Sequence, residues 1–487
     1  MSANPTSVFG KEVRAVVTLS VIFLGVFTSY NSVQNLQSSI NQEKGLGVLS
    51  LMCVYSTMMI SSVLSPLAIQ KLTAKGVIVL SCSVHLVYAA TNFYPRYWTI
   101  LPASFLLGSI SGMFWAAQAT YVATCSFSYA DRLSQENSYI LGRFYSLFGA
   151  IFVGSGIIGN LISSLLLRLD STPENLNTTM GNSSFMYNIS MLTQNESRLP
   201  EVICLARFCP ANVKGGSSRP LLQSKTSLYY LLGAFVCFIL LALGIAIFLL
   251  PPISNKQRNG QQRKSTCSVA ASSIRLFKDR KLLLLCPSFV AMGWSQSFKW
   301  TDITQAYISC TYGVSYVGYL MATHGACFAI STPILSRVAK IVGRARLLLL
   351  LYMLYVVLHI GYMILPDNIS LPVLFVILGI HGALEGPISA QLQATVALMF
   401  ENKKEPAFAN LGFWRSLSNT VYFAVGNYVC VQDKLITLLI FYFATIIFTI
   451  AAEKIYNNEQ RTIRLRNIKE AELKEEKNKD DLYNHTI

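Results

Sequence analysis

Charge is what this 487-residue sequence has least of: 13% of its residues are Asp, Glu, Lys or Arg, whereas 53% are hydrophobic. A soluble globular chain carries about 25% charged residues, so a polar coat over one large core is excluded. Lipid must take over part of the surface. Acidic residues are scarcer than basic ones, 23 against 39. The net charge of +16 fits a membrane surface and not nucleic acid, because of where the basic residues lie. No small-residue cleavage site follows the apolar run from Ala15 to about Tyr30, so that run reads as a first span and not as a signal peptide. Phosphate loop, nucleophile elbow and metalloprotease helix are all missing, so no enzyme, cofactor or metal is expected.

What is present is a series of long apolar stretches. A span needs about 20 mostly apolar residues, because amides inside lipid must be satisfied within the helix. Twelve spans are predicted, near 15–36, 47–69, 76–94, 98–122, 140–167, 227–250, 282–300, 313–336, 347–365, 371–399, 409–431 and 435–452. With the N-terminus in the cytoplasm, 29 of the 39 Lys and Arg fall on cytoplasmic segments, Arg415 counted among them. Outside the long loop 168–226, only Lys44, Arg96, Lys299 and Lys434 face the other side. Both termini are therefore expected in the cytoplasm, and the plasma membrane is the expected site, with endosomal or endoplasmic reticulum membrane as alternatives.

Sequons agree with this direction. Asn177, Asn182, Asn188 and Asn195 each open an N-x-S/T triplet in the long outer loop, and Asn368 opens another between spans nine and ten. All five are candidate N-glycosylation sites. Cys204, Cys209, Cys310 and Cys430 face the same oxidising side, which favours disulfides. The expected pairs are Cys204 with Cys209, as a local clip, and Cys310 with Cys430.

The sequence also repeats itself at an offset near 270. Gln118-Ala-Thr recurs as Gln393-Ala-Thr, and Leu141-Gly-x-x-x-Ser-Leu as Leu411-Gly-x-x-x-Ser-Leu. Gly159-Asn160 recurs as Gly426-Asn427, Gly47-Val48 as Gly313-Val314, and Pro66 before a basic loop as Pro333. Six helices separate the partners, so the two six-helix halves run the same way. Parallel six-helix halves joined by a cytoplasmic linker describe an all-α, major facilitator-like architecture. The expected division is 1–250, a linker at 251–281, 282–452, and a charged tail at 453–487, read as solvated and disordered in preference to lipid-bound. The acidic residue usual in the loop after span two is missing at Gln70-Lys71, which weakens an ordinary alternating-access reading.

Phe27-Thr-Ser-Tyr, Leu36-Gln-Ser-Ser-Ile with Gly45-Leu-Gly-Val, Trp115-Ala-Ala-Gln, and Lys404-Glu-Pro-Ala-Phe-Ala-Asn with Trp414 resemble the A-type branch of the Unc-ninety-three family. That family is an atypical branch of the major facilitator superfamily. The resemblance implies a regulatory subunit of a potassium channel, or an escort for receptors leaving the endoplasmic reticulum.

Polar groups inside spans are the functional candidates, since lipid exposure would be costly. Asn31, Gln34 and Asn35 crowd the outer end of span one, Trp115 and Gln118 share a face of span four, and Gln393 is the repeat partner in span ten. Together they are read as lining a central cavity, with bundle-gluing hydrogen bonds as the plain alternative. Glu385, the one acid well inside a predicted span, lies four residues after His381, one helical turn, so the two could share a proton; a charge satisfied by His381 or a neighbouring helix, with no transport role, is the plain alternative. His85, His324 and His359 are read as packing residues, and Lys299 with Asp302 as an exposed pair. Two functions follow: an accessory protein regulating or escorting a channel or receptor in the bilayer, or a small-solute transporter coupled to protons through Glu385. On the topology side, glycosidase treatment should lower the apparent mass by several glycans, and replacing Asn177, Asn182, Asn188 and Asn195 together should remove most of that shift. An unchanged band from a glycosylating cell would place the loop on the other side.

Overall fold

The computed structural model describes residues 10–40, 46–168, 204–210, 225–252, 266–312, 316–426 and 428–484. Asn177, Asn182, Asn188 and Asn195 lie outside the described residues, as do the side chains of Gln34 and Asn35. Every regular element described is helical: α1 Lys11–Ile40, α2 Leu46–Thr91, α3 Tyr97–Leu133, α4 Asn137–Phe152, α5 Gly154–Arg168 and α6 Lys225–Phe248. They are followed by α7 Thr266–Leu276, α8 Arg280–Phe298, α9 Val317–Val342, α10 Arg344–Ile364, α11 Leu371–Met399, α12 Lys404–Val425 and α13 Val431–Asn484.

Among the described residues, nine helices are long and apolar enough to cross a membrane. One of them, Leu49–Thr91, is 43 residues long, about twice what a bilayer needs. Its backbone leaves the helix at Thr73 (φ 66°, ψ 163°), a conformation a β-branched residue adopts only under strain. The break falls between the predicted spans 47–69 and 76–94, beside Lys71 and Lys75. α8 is longer than span seven was read to be. It continues through a π-helical segment, Lys299–Ser309, and one more turn, Cys310–Tyr312.

The segment read as a plain linker contains α7, which wedges between α2 and α12. Ser273 Oγ donates to the Val63 carbonyl at 3.0 Å, and Asn410 Nδ2 donates to the Ser273 carbonyl at 3.0 Å. Nor is the tail irregular: α13 runs through to Asn484. Glu470 with Lys474, and Glu475 with Lys479, have the i, i+4 order that favours a helix even in a charged sequence. Charge alone had suggested disorder; its spacing favours helix.

One buried core takes side chains from both groups of helices, Phe23, Phe114, Leu141 and Phe144 from α1, α3 and α4 together with Leu285, Ala394 and Phe408 from α8, α11 and α12. The two groups touch at both ends of the bundle. Tyr55 stacks on Phe423 at 5.3 Å toward one end, and Tyr145 meets Phe408 at 6.2 Å toward the other.

The four outer cysteines are bonded, but not as expected. Cys204 pairs with Cys310 and Cys209 with Cys430, across 106 and 221 residues. The local clip fails because the intervening residues dock on the helices. Leu205 and Phe208 are buried, and the Phe208 carbonyl accepts from Val431 N at 3.0 Å. That bond brings Cys209 beside Cys430, and Arg207 reaches Asp367 at 3.5 Å on the next loop. Asn368, in that loop, is exposed at this same end, as a glycan acceptor must be. A non-reduced digest should yield the Cys204–Cys310 and Cys209–Cys430 peptide pairs. Replacing Cys209 and Cys430 by Ser should lower stability by about 2–5 kcal/mol, read as a lower unfolding midpoint; recovery of a Cys204–Cys209 peptide would overturn the pairing.

Candidate functional site

Lys299 opens the π-helical segment, a widened turn of the kind often found at functional sites. It is buried, not exposed. Its Nζ donates to both oxygens of Glu385 on α11, at 2.6 and 2.7 Å. His324 of α9 lies 2.9 Å from Glu385 through Nε2. That approach depends on Gly382, one turn before Glu385, where an added Cβ would fall 2.0 Å from the His324 carbonyl oxygen. Only a glycine lets α9 and α11 come so close here.

The expected His381–Glu385 pair is the weakest of these contacts, at 3.8 Å. His381 is instead held by two tyrosines of α10, Nε2 by Tyr355 Oη at 2.7 Å and Nδ1 by Tyr362 Oη at 3.1 Å. Tyr355 Oη also meets Ser295 Oγ at 3.1 Å. The carboxylate meets Lys299 at both oxygens because an ammonium on a flexible stem presents three donors, whereas His381 is already held at both ring nitrogens by the two tyrosines. His324, read from sequence as packing, belongs to the site. His359 is enclosed beside it with its ring 5.7 Å from His381.

His324, His381 and Glu385 offer ligand atoms within 4.8 Å of one another, a spacing that could hold a metal ion. Lys299 bonds both oxygens of that carboxylate, so a metal would have to displace the ammonium. The donor set suits an ion pair better than a metal.

Asp302, three residues after Lys299, is not its partner. It pairs with Lys434 of α13 at 2.9 Å, both side chains 2% exposed, and accepts from the hydroxyls of Tyr422 and Thr301. The π-helical segment therefore sends one charge to α11 and the other to α13.

A third constellation lies where the cavity was expected. Arg415 of α12 sits 5.4 Å above the Trp115 ring of α3, and its Nε donates to Gln296 Oε1 of α8 at 3.0 Å. Trp115 is walled by Phe27, Phe152 and Phe23, at 5.1, 5.4 and 5.5 Å. Arg415 was counted from sequence as cytoplasmic; it is instead mid-helix and between helices. Gln118 is buried and its Nε2 has no partner among the described residues. Gln393 bonds back to Ser389 on its own helix at 3.4 Å, and Asn31 reaches Ser155 at 3.4 Å. No hydrogen bond joins Gln118 to Gln393 among the described residues. The sequence signal for Lys299 was the apolar run after it, Ile303, Ala306, Tyr307 and Ile308, which carries the helix on past the polar stretch.

Comparison with known proteins identifies the group. A family model described as "Ion channel regulatory protein UNC-93" matches residues 37–450. The chain belongs to the UNC-93 family. This member is 31% identical to protein unc-93 homolog A of Homo sapiens, over 88% of this chain and 90% of that one. It is 26% identical to the putative potassium channel regulatory protein unc-93 of Caenorhabditis elegans, over 87% of this chain and 58% of that one. Among solved structures, the fucose:proton symporter FucP of E. coli superposes with a TM-score of 0.63 at 12% identity, over 91% and 99% of the two chains. The human organic anion transporter MFSD10 gives 0.57 at 13% identity, over 90% and 100%. At such identities the likeness is one of fold, and the fold is that of the major facilitator superfamily.

The Lys299–Glu385 pair has a measurable consequence for this UNC-93 member. Lys299→Met leaves an uncompensated buried carboxylate and should lower stability by about 3–5 kcal/mol. Adding Glu385→Leu should restore most of the loss, because two well-packed apolar side chains replace two charges. Denaturant unfolding of the purified protein in detergent measures both. A double variant as unstable as the single one would show that the pair does not act as a unit.

Proposed function

We propose that this chain is a multi-pass membrane accessory protein that regulates or escorts a membrane partner, an ion channel first among the candidates. Twelve spans in two six-helix halves, with both termini in the cytoplasm of a plasma-membrane protein, complete the reading. The observation that carries it is the family match across 37–450, whose description is ion channel regulation. The site is compatible with that role. Glu385 is tied at both oxygens to Lys299, and the helix groups meet at both ends of the bundle. Neither feature needs a solute to cross. No enzymatic step is proposed.

A second reading, proton-coupled transport of a small solute, is favoured by one observation: His324 contacts the same buried carboxylate at 2.9 Å, which would let a proton pass between them.

The test uses Lys299→Gln with Glu385→Gln, which removes the ion pair without leaving a lone charge. Accessory function predicts that a channel subunit co-purifies with the chain in mild detergent and that its current depends on the chain, with or without the double substitution. Failure to co-purify, joined with proton-dependent metabolite uptake that the double variant abolishes, would replace this reading with the transporter.

A further inference from the structure

Among the described residues, Arg415 has no carboxylate in ion-pair contact. From the middle of the bundle to its disulfide-bearing end, the described residues enclose five charged side chains: Lys299, Asp302, Glu385, Arg415 and Lys434. Lys299 cancels Glu385, and Lys434 cancels Asp302. One positive charge remains, on a group that does not deprotonate in proteins. A cation left alone among helices is costly, and no carboxylate lies within 4.0 Å of it among the described residues.

The guanidinium is not spent on hydrogen bonds either. Nε is used by Gln296, but Nη1 and Nη2 have no acceptor among the described residues, and the side chain stays partly exposed although it contacts both α3 and α8. Part of its surface stays accessible where α12 meets α3 and α8. The surface beside it is aromatic: the Trp115 ring below the guanidinium, backed by Phe27 and Phe152.

We propose that Arg415 binds a small monocarboxylate with an apolar, ring-sized body, between α3, α8 and α12. The two free Nη groups present the parallel donors that match a carboxylate. The body of the ligand would rest against Trp115 and its aromatic neighbours. Such a ligand restores neutrality to the interior, which no described side chain does. The site uses Arg415 and not Glu385, and the proposal holds whether the protein carries its ligand or is regulated by it.

The experiment uses the full chain, purified in neutral detergent, with benzoate as probe and benzamide as its uncharged match. Benzoate should raise the thermal midpoint and quench tryptophan fluorescence, because a ligand bound only to the folded state stabilises it, and benzamide should do neither. Arg415→Gln should weaken benzoate binding about tenfold or more, the loss expected for hydrogen bonds to a charged group. Arg415→Lys, which keeps the charge but not the fork, should fall between. Equal responses to benzoate and benzamide, unchanged affinity in Arg415→Gln, or full protection by chloride at matched ionic strength would each overturn the proposal. If Arg415→Gln does not fold, benzoate against benzamide on the wild type and on Trp115→Leu decides it.

Discussion

Lipid supplies no counter-ion, so a charge enclosed by this bundle must find its opposite in a protein side chain or a bound ligand. That constraint organises the helices α8–α13. Lys299 and Asp302 sit three residues apart on one π-helical segment, yet they reach different helices, α11 and α13. The widened turn serves as a hub that fixes α8 against two neighbours at once. Removing one partner strands the other in a medium that cannot solvate it, which is why such pairs are costly to break although modest in net worth. Glu385 is held further by His324, and His381 by two tyrosines, so the polar centre is a connected network and not a single bridge.

The same constraint explains what the sequence conceals. Counting Lys and Arg by side treats every basic residue as a loop residue. For Lys71, Lys75 and Arg96, at or beside breaks between helices, the treatment holds. It misplaces Lys299, Lys434 and Arg415, which lie between helices. Their partners are distant in sequence, 86 residues for Lys299 with Glu385 and 132 for Lys434 with Asp302. Local spacing instead favoured His381, four residues from Glu385, because one helical turn is the only contact a single sequence displays directly. The disulfides were missed for the same reason. A five-residue separation made Cys204–Cys209 attractive, while the docking of Leu205 and Phe208 on distant helices decided the pairing.

Apolar length and punctuation were legible because they are local. Predicted spans two and three are divided where Thr73 breaks α2, and Pro66, found before that break, sits inside the helix without ending it. From sequence the seventh span ends near 300, where Lys299 and Asp302 read as an exposed pair. Inside a bundle polarity does not mean exposure: Ser297 donates to Asn419, and Trp294 Nε1 to the Lys434 carbonyl.

The internal repeat gains physical content from the packing. Gly142 and Gly412 occupy the same place in the repeated Leu-Gly-x-x-x-Ser-Leu, and each is a point of close approach to the opposite helix group. A Cβ on Gly142 would lie 3.1 Å from Gln391 of α11, and one on Gly412 would lie 2.9 Å from Ser62 of α2. The repeat thus preserves interfaces between the groups, where backbone proximity needs small residues. It does not preserve polar function. Gln118 is enclosed with a free donor, whereas its repeat partner Gln393 bonds to its own helix. Lys299, Glu385 and Arg415 all belong to the second group of helices, whereas the described part of the first has the Glu12–Arg132 pair at one end of the bundle and no such charges at its centre.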